Sequence, residues 1–189
     1  MLKSITFPVF IILCFCSFKM TEFNLEGKER ILHDFQDQKQ NQTWFQLNDD
    51  IMGGVSSGKF SFTKDILTFS GKLSLENRGG FASIRSKTDA MNLHGAKKFK
   101  LLVKGDGNDY YFNISSSNFI ADPGFQAKFK TEKDKWQEIE LALDDFSPAF
   151  GSRSSTSNLD MSKVKIMGLI ISDKQAGPFQ IEIDWIKSV

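Results

Sequence analysis

From Trp44 to the C-terminus, apolar residues recur at every second position in short runs, broken by clusters of Gly, Asp, Asn, Ser and Lys. A spacing of two turns one face of an extended strand toward a core and the other toward water, whereas an amphipathic helix needs a spacing near 3.6. The pattern is plainest in Lys59–Thr63, Phe125–Thr131 and Phe179–Trp185. Further strands are expected over Ile66–Phe69, Gly80–Ser86, Lys98–Lys104, Asp109–Ser115, Trp136–Leu143 and Val164–Ser172, the last so continuously apolar that it belongs in the middle of a sheet. The 19 phenylalanines suit this grammar, because a flat aromatic ring packs well on a pleated surface. About ten short strands with brief turns predict an all-β fold, an antiparallel jelly-roll β-sandwich. Helix is expected only before Asp34 and in a turn near Thr88–Leu93, where Asp89 and Asn92 offer caps.

Composition narrows function. With 24 Lys+Arg against 23 Asp+Glu the net charge is +1, too small for the basic surface that nucleic acid requires, so no nucleic-acid partner is expected. The two cysteines, Cys14 and Cys16, both lie in the first apolar stretch, and the histidines are only His33 and His94. That leaves little material for a thiol nucleophile, a zinc-thiolate site or a Ser-His triad. Gly105-Asp106-Gly107 lacks the third glycine and the following helix of a dinucleotide fingerprint. No catalytic residue, metal or cofactor is expected, and the chain does not read as an enzyme.

Residues 1–18 carry Lys3 followed by an apolar run of about 14 residues, short of the roughly 18–20 that a membrane span needs. They read as a signal peptide, which predicts export. Residues 19–33 read as a polar linker, and the folded domain is expected over 34–189.

Two stretches stand out from the strand pattern. Asn48-Asp49-Asp50-Ile51-Met52-Gly53-Gly54-Val55-Ser56-Ser57-Gly58 places adjacent glycines where a strand would not tolerate them cheaply, so a tight corner is expected. Asn48 and Asp49 either hydrogen-bond that turn, or Asp49 and Asp50 form an acidic rim facing a partner. Ser74–Arg85 repeats the Gly-Gly device at Gly79-Gly80 and then sets Phe81, Ser83 and Arg85 on one strand face, with Ala82 and Ile84 on the other. Of the basic residues only Arg30, Arg78, Arg85 and Arg153 are arginine, which favours geometries that Lys cannot supply. Arg85 is expected to be partly buried and paired with a carboxylate, of which Asp49, Asp50 and Glu76 are nearest by motif. Farther on, Lys104–Asp109 reads as a hairpin turn, and its oxygens lack the spacing of a calcium loop. Tyr111 and Asn113 share a strand face with Ser115, an aromatic beside an amide and a hydroxyl, as a sugar-binding face would have.

These residues carry a resemblance. Asn48–Gly58, Phe69-Ser70-Gly71, Leu75–Arg85, Lys104–Gly107, Asp145–Pro148, Gly168–Gln175, Gly177-Pro178-Phe179 and Ile183–Ile186 are similar to the complex I intermediate-associated protein 30 family, over about residues 34–189. The resemblance implies a galactose-binding-like sandwich and a non-catalytic assembly factor, one that holds intermediates of NADH:ubiquinone oxidoreductase. The implied partner is a protein or assembly intermediate, with a respiratory-complex component as the family's example. The export signal departs from a mitochondrial import sequence and points to a bacterial envelope or periplasm, with a mitochondrial location as the alternative in a eukaryote. A partner surface is expected at Asn48, Asp49, Asp50, Asn77, Arg78 and Arg85. The alternative is an envelope carbohydrate-binding module that reads sugars with Tyr111 and Asn113.

Overall fold

The computed structural model describes residues 29–87, 91, 93–149 and 159–189. The expected signal peptide and the caps Asp89 and Asn92 lie outside these residues. Among the described residues twelve strands follow one another: β1 (Arg30–His33), β2 (Trp44–Asn48), β3 (Ser57–Thr63), β4 (Ile66–Leu73), β5 (Ala82–Lys87), β6 (Lys98–Lys104), β7 (Asp109–Ser115), β8 (Phe125–Lys130), β9 (Trp136–Ala142), β10 (Ser147–Pro148), β11 (Ile166–Ile171) and β12 (Gly177–Ser188). They form two antiparallel sheets of six, the first in the order β3-β4-β12-β6-β9 with β1 also on β12, the second in the order β10-β8-β7-β11-β5-β2.

The alternation read from the sequence decides which side of each strand is dry. In β6, Phe99, Leu101 and Val103 are buried while Lys98, Lys100 and Lys104 turn outward, where Lys100 reaches Glu138 and Glu140 of β9. β11, apolar throughout, is buried along its whole length between β7 and β5. The inner faces meet through aromatic contacts such as Phe99 of the first sheet against Phe112 of the second, ring centroids 5.0 Å apart at 61°. Edge-on rings of this kind add about 0.5–1.5 kcal/mol beyond the area they bury.

Two elements differ from expectation. Arg30–His33, read as linker and next to an expected helix, is a strand: it pairs with the end of β12, Arg30 opposite Ser188, and buries Leu32 and His33. The reason is in β12, whose residues 177–183 pair with β4 but whose last residues run past it and leave ladder groups that β1 satisfies. Among the described residues the one α-helical turn, α1 (Gln38–Asn41), lies after Asp34, with Asp37 Oδ1 accepting from Lys39 N at 2.8 Å as its cap.

Candidate functional site

β2 ends at Asn48 and runs into a 3-10 turn, Asp49–Met52, that closes on Gly53 in the left-handed region at φ 87°. The loop from β4 to β5 passes beside it. Asp49 ties the two loops together. Its Oδ1 accepts from Ser56 N at 2.9 Å, and its Oδ2 accepts from Ser56 Oγ at 2.6 Å, Gly80 N at 2.6 Å and Phe81 N at 3.2 Å. Ser56 Oγ also accepts from Ser74 N at 3.0 Å, which extends the tie to the end of β4. A Cβ on Gly54 or Gly79 would overlap the Asp49 carboxylate, so both Gly-Gly pairs provide close approach at one buried acid. Burial alone would push the Asp49 carboxyl up; the bonds from Ser56, Gly80 and Phe81 outweigh it and hold the group below the usual carboxylate range.

Asp49 has no exposed surface, so it is no part of a rim. Asn48 is also buried, its Nδ2 donating to Gly58 O at 3.1 Å. Of the expected corner residues, Asp50, Asn77 and Arg78 face solvent. Asn77 and Arg78 are both in the left-handed region, at φ 54° and 61°. The corner also presents four aliphatic side chains that the sequence reading did not assign to a site: Ile51, Met52, Val55 and Leu75, the most open being Met52 at 69%. Large aliphatics on loops rich in Gly, Asp and Ser, outside any alternating run, were the available signal.

Arg85 stands apart from this corner. It does not pair with Asp49, Asp50 or Glu76; its Nη1 donates to the carbonyls of Ile120 and Asp122, each at 2.9 Å. β5 turns Arg85 away from the core, on the face where the β7–β8 segment passes, and that placement depends on chain order that motif spacing does not contain. Burial lowers the guanidinium to about 10, opposed by the nearby Asp122 charge, so it stays cationic at neutral pH. On the same face Arg85, Gly168, Asn113 and Gln126 lie opposite one another in register, with Tyr111 two residues along β7 from Asn113. Asn113 is fully buried, yet neither Nδ2 nor Oδ1 has a hydrogen-bond partner, and Arg85 Nε also lacks one.

In the 104–109 turn, Asp106 Oδ2 accepts from Asn108 Nδ2, Tyr110 OH and Gln180 N, at 3.0, 3.1 and 2.7 Å, which accounts for its conformation. Glu138 and Glu140 are taken up by lysines of β6. Among the described residues no group of three His, Cys, Asp or Glu side chains is placed to hold a metal ion, and no helix is long and apolar enough to cross a membrane.

Two antiparallel sheets packed face to face in this order define a galactose-binding-like β-sandwich, the fold of many binding modules. Residues 33–183 match the model of the Complex I intermediate-associated protein 30 family, and the chain belongs to that family. No curated protein matches it by sequence. Among solved structures, the chain is similar to the family 11 carbohydrate-binding module of a cellulosomal cellulase of Clostridium thermocellum, with 17% identity and a TM-score of 0.62 over 86% of this chain and 94% of that one. The same module in complex with a β-1,3-1,4-mixed-linked tetrasaccharide gives 18% identity and 0.62 over 85% and 95%. A carbohydrate-binding module of the β-sandwich superfamily described for promiscuous specificity gives 12% and 0.55 over 85% and 62%.

Proposed function

We propose that this protein is a non-catalytic binding module that holds a protein partner or assembly intermediate at the corner built on Asp49. The observation that supports this reading is the exposure of Ile51, Met52, Val55 and Leu75 on two loops pinned from beneath by one buried carboxylate. Grouped exposed aliphatics mark contact surfaces, and loops already fixed lose little entropy on docking. Asp50, Glu76 and Arg78 supply a polar rim of mixed sign. The family name directs the first test to intermediates of complex I, and the first segment directs it to the cell envelope. The tagged full chain, isolated from native membranes and fractionated by size, should migrate with a defined membrane-complex intermediate. Met52→Asp with Val55→Asp should abolish that comigration at unchanged melting temperature; comigration that survives the double variant removes the corner from the reading.

A second reading, a carbohydrate-binding module, is favoured by a different observation: the unpartnered Asn113 amide near Tyr111 on one sheet face. Saturable binding of a neutral oligosaccharide to the purified chain tests it, and the corner variants should leave that binding intact.

A further inference from the structure

The row across the second sheet has a glycine at its centre. Between Arg85 on β5 and Asn113 on β7 the intervening residue is Gly168 of β11, where a side chain would strike Ile84 O and come within 3.1 Å of Arg85 Cγ. The Arg85 stem therefore lies over the glycine, on the side of the row toward Asn113. Its Nη1 is held by the carbonyls of Ile120 and Asp122, which places that part of the 116–124 segment above the face. Beneath it three polar atoms go unused: Arg85 Nε and the two amide atoms of Asn113. A buried polar group without a partner costs about 1–3 kcal/mol, and native structures hold few of them, so this grouping calls for an occupant.

The atoms define the occupant's chemistry. Arg85 Nε–H and Asn113 Nδ2–H offer hydrogen and Asn113 Oδ1 accepts it. A carboxylate or phosphate would satisfy the donors but set its charge against Oδ1, and a cation would meet the arginine. A hydroxyl both donates and accepts, and two adjacent hydroxyls match the set. Tyr111 and Gln126, half-buried on the same face, extend the site with a ring and a further amide.

We propose that the Arg85–Gly168–Asn113 row is a binding site for a neutral sugar bearing adjacent hydroxyls, reached when the 116–124 segment lifts from the Arg85 guanidinium. The inference rests on the second reading above and adds to it a location, a ligand class and a latch. Because Asn113 shows no surface, binding requires that movement, and the latch includes Arg85's two bonds to backbone carbonyls and the bond that Lys165 Nζ donates to Asn118 Oδ1 at 2.8 Å.

The test uses the full chain and a β-1,3-1,4-mixed-linked glucan tetrasaccharide, with a xylan and an agarose tetrasaccharide beside it. The side-chain amide resonances of Asn113 should shift and saturate with at least one of them, and Asn113→Leu and Tyr111→Ala should each weaken that binding about tenfold or more. Asn113→Leu should not lower the melting temperature, since it removes an unpaired amide; if it fails to fold, Tyr111→Ala alone carries the comparison. A saccharide that binds with unchanged affinity to both variants overturns this site and leaves the carbohydrate reading standing elsewhere on the molecule. No saturable response to any of the three at millimolar concentration, with a single ordered water bridging Arg85 and Asn113, overturns both.

Discussion

The Ser56 hydroxyl donates to the Asp49 carboxylate across 2.6 Å at a point where both side chains are buried. That bond joins the start of β3 to the end of β2, and the same carboxylate oxygen then reaches Gly80 and Phe81 at the entrance to β5. Asp49→Asn replaces one acceptor oxygen by an NH2 group. Whichever way the amide turns, a donor meets donors that the carboxylate had satisfied. A loss of about 3–5 kcal/mol is expected, read as a lower urea midpoint at unchanged slope. Gly54→Ala should cost about 1–3 kcal/mol by forcing the buried acid to shift. A midpoint unchanged in both would show that the carboxylate does not hold the corner.

Arg85 satisfies two carbonyls with one nitrogen. Arg85→Met leaves the buried Asp122 O and the part-buried Ile120 O without that donor, and a loss of about 1–3 kcal/mol is expected. Arg85→Lys keeps the charge but not the guanidinium geometry, and should lose about 1–3 kcal/mol. Differential scanning calorimetry of the two variants gives the order: a lysine variant as stable as the wild type would remove the geometric argument.

What could be read from the sequence, and what could not, divides along the range of the interaction. Side-chain alternation is local, so β6 and β8 were visible in their own residues, and β11 was placed centrally by its unbroken apolar run, whereas the outer face of β7 reads as polar but is buried at Asn113 and Ser115. β1 and β10, of four and two residues, are too short to show a period; they exist because β12 and β8 offer them ladder groups. The glycine corners were legible as corners. That both close on Asp49 was not, because Gly80 lies 31 residues away in the chain. The carbonyl partners of Arg85 are 35 and 37 residues distant, and only the fold brings that segment across the sheet. The exposed aliphatics of the corner were hidden for a different reason: composition counts apolar residues but does not say which of them the core leaves out.

His33 gives the molecule an acid-sensitive point. Its ring is buried between Phe35 and Trp44, with centroids 5.8 and 5.2 Å away. Burial lowers its pKa from the ordinary 6.5 to about 4, against the opposing effects of Asp34 and a hydrogen bond with Gln40. The folded-state value is depressed, so stability from the neutral ring is complete above pH 6.5, declines as pH falls, and is gone below about 4. The loss is about 3 kcal/mol across that window. Asp49, held below its ordinary range, adds its own loss only at still lower pH. His33→Phe should flatten the decline between pH 6.5 and 4 in chemical denaturation; an unaltered pH profile would assign it to other groups.

Arg78 separates stability from recognition. It and Asn77 are consecutive non-glycine residues in the left-handed region, and the turn they form is closed by Gly79 N donating to Glu76 O at 2.8 Å. Asn tolerates that conformation; a residue as long as Arg pays about 1–2 kcal/mol for it. Arg78→Gly removes the strain while adding freedom to the unfolded chain, and the net expected gain is about 1 kcal/mol. Arg78→Ala keeps the strain and should leave stability near the wild-type value. Both variants delete the same exposed cation from the rim of the aliphatic corner. If that rim contacts a partner, the two should weaken partner retention equally while differing in melting temperature, because binding depends on the lost guanidinium and stability on the backbone. Retention that follows the melting temperature instead would show that Arg78 acts through the shape of the turn alone.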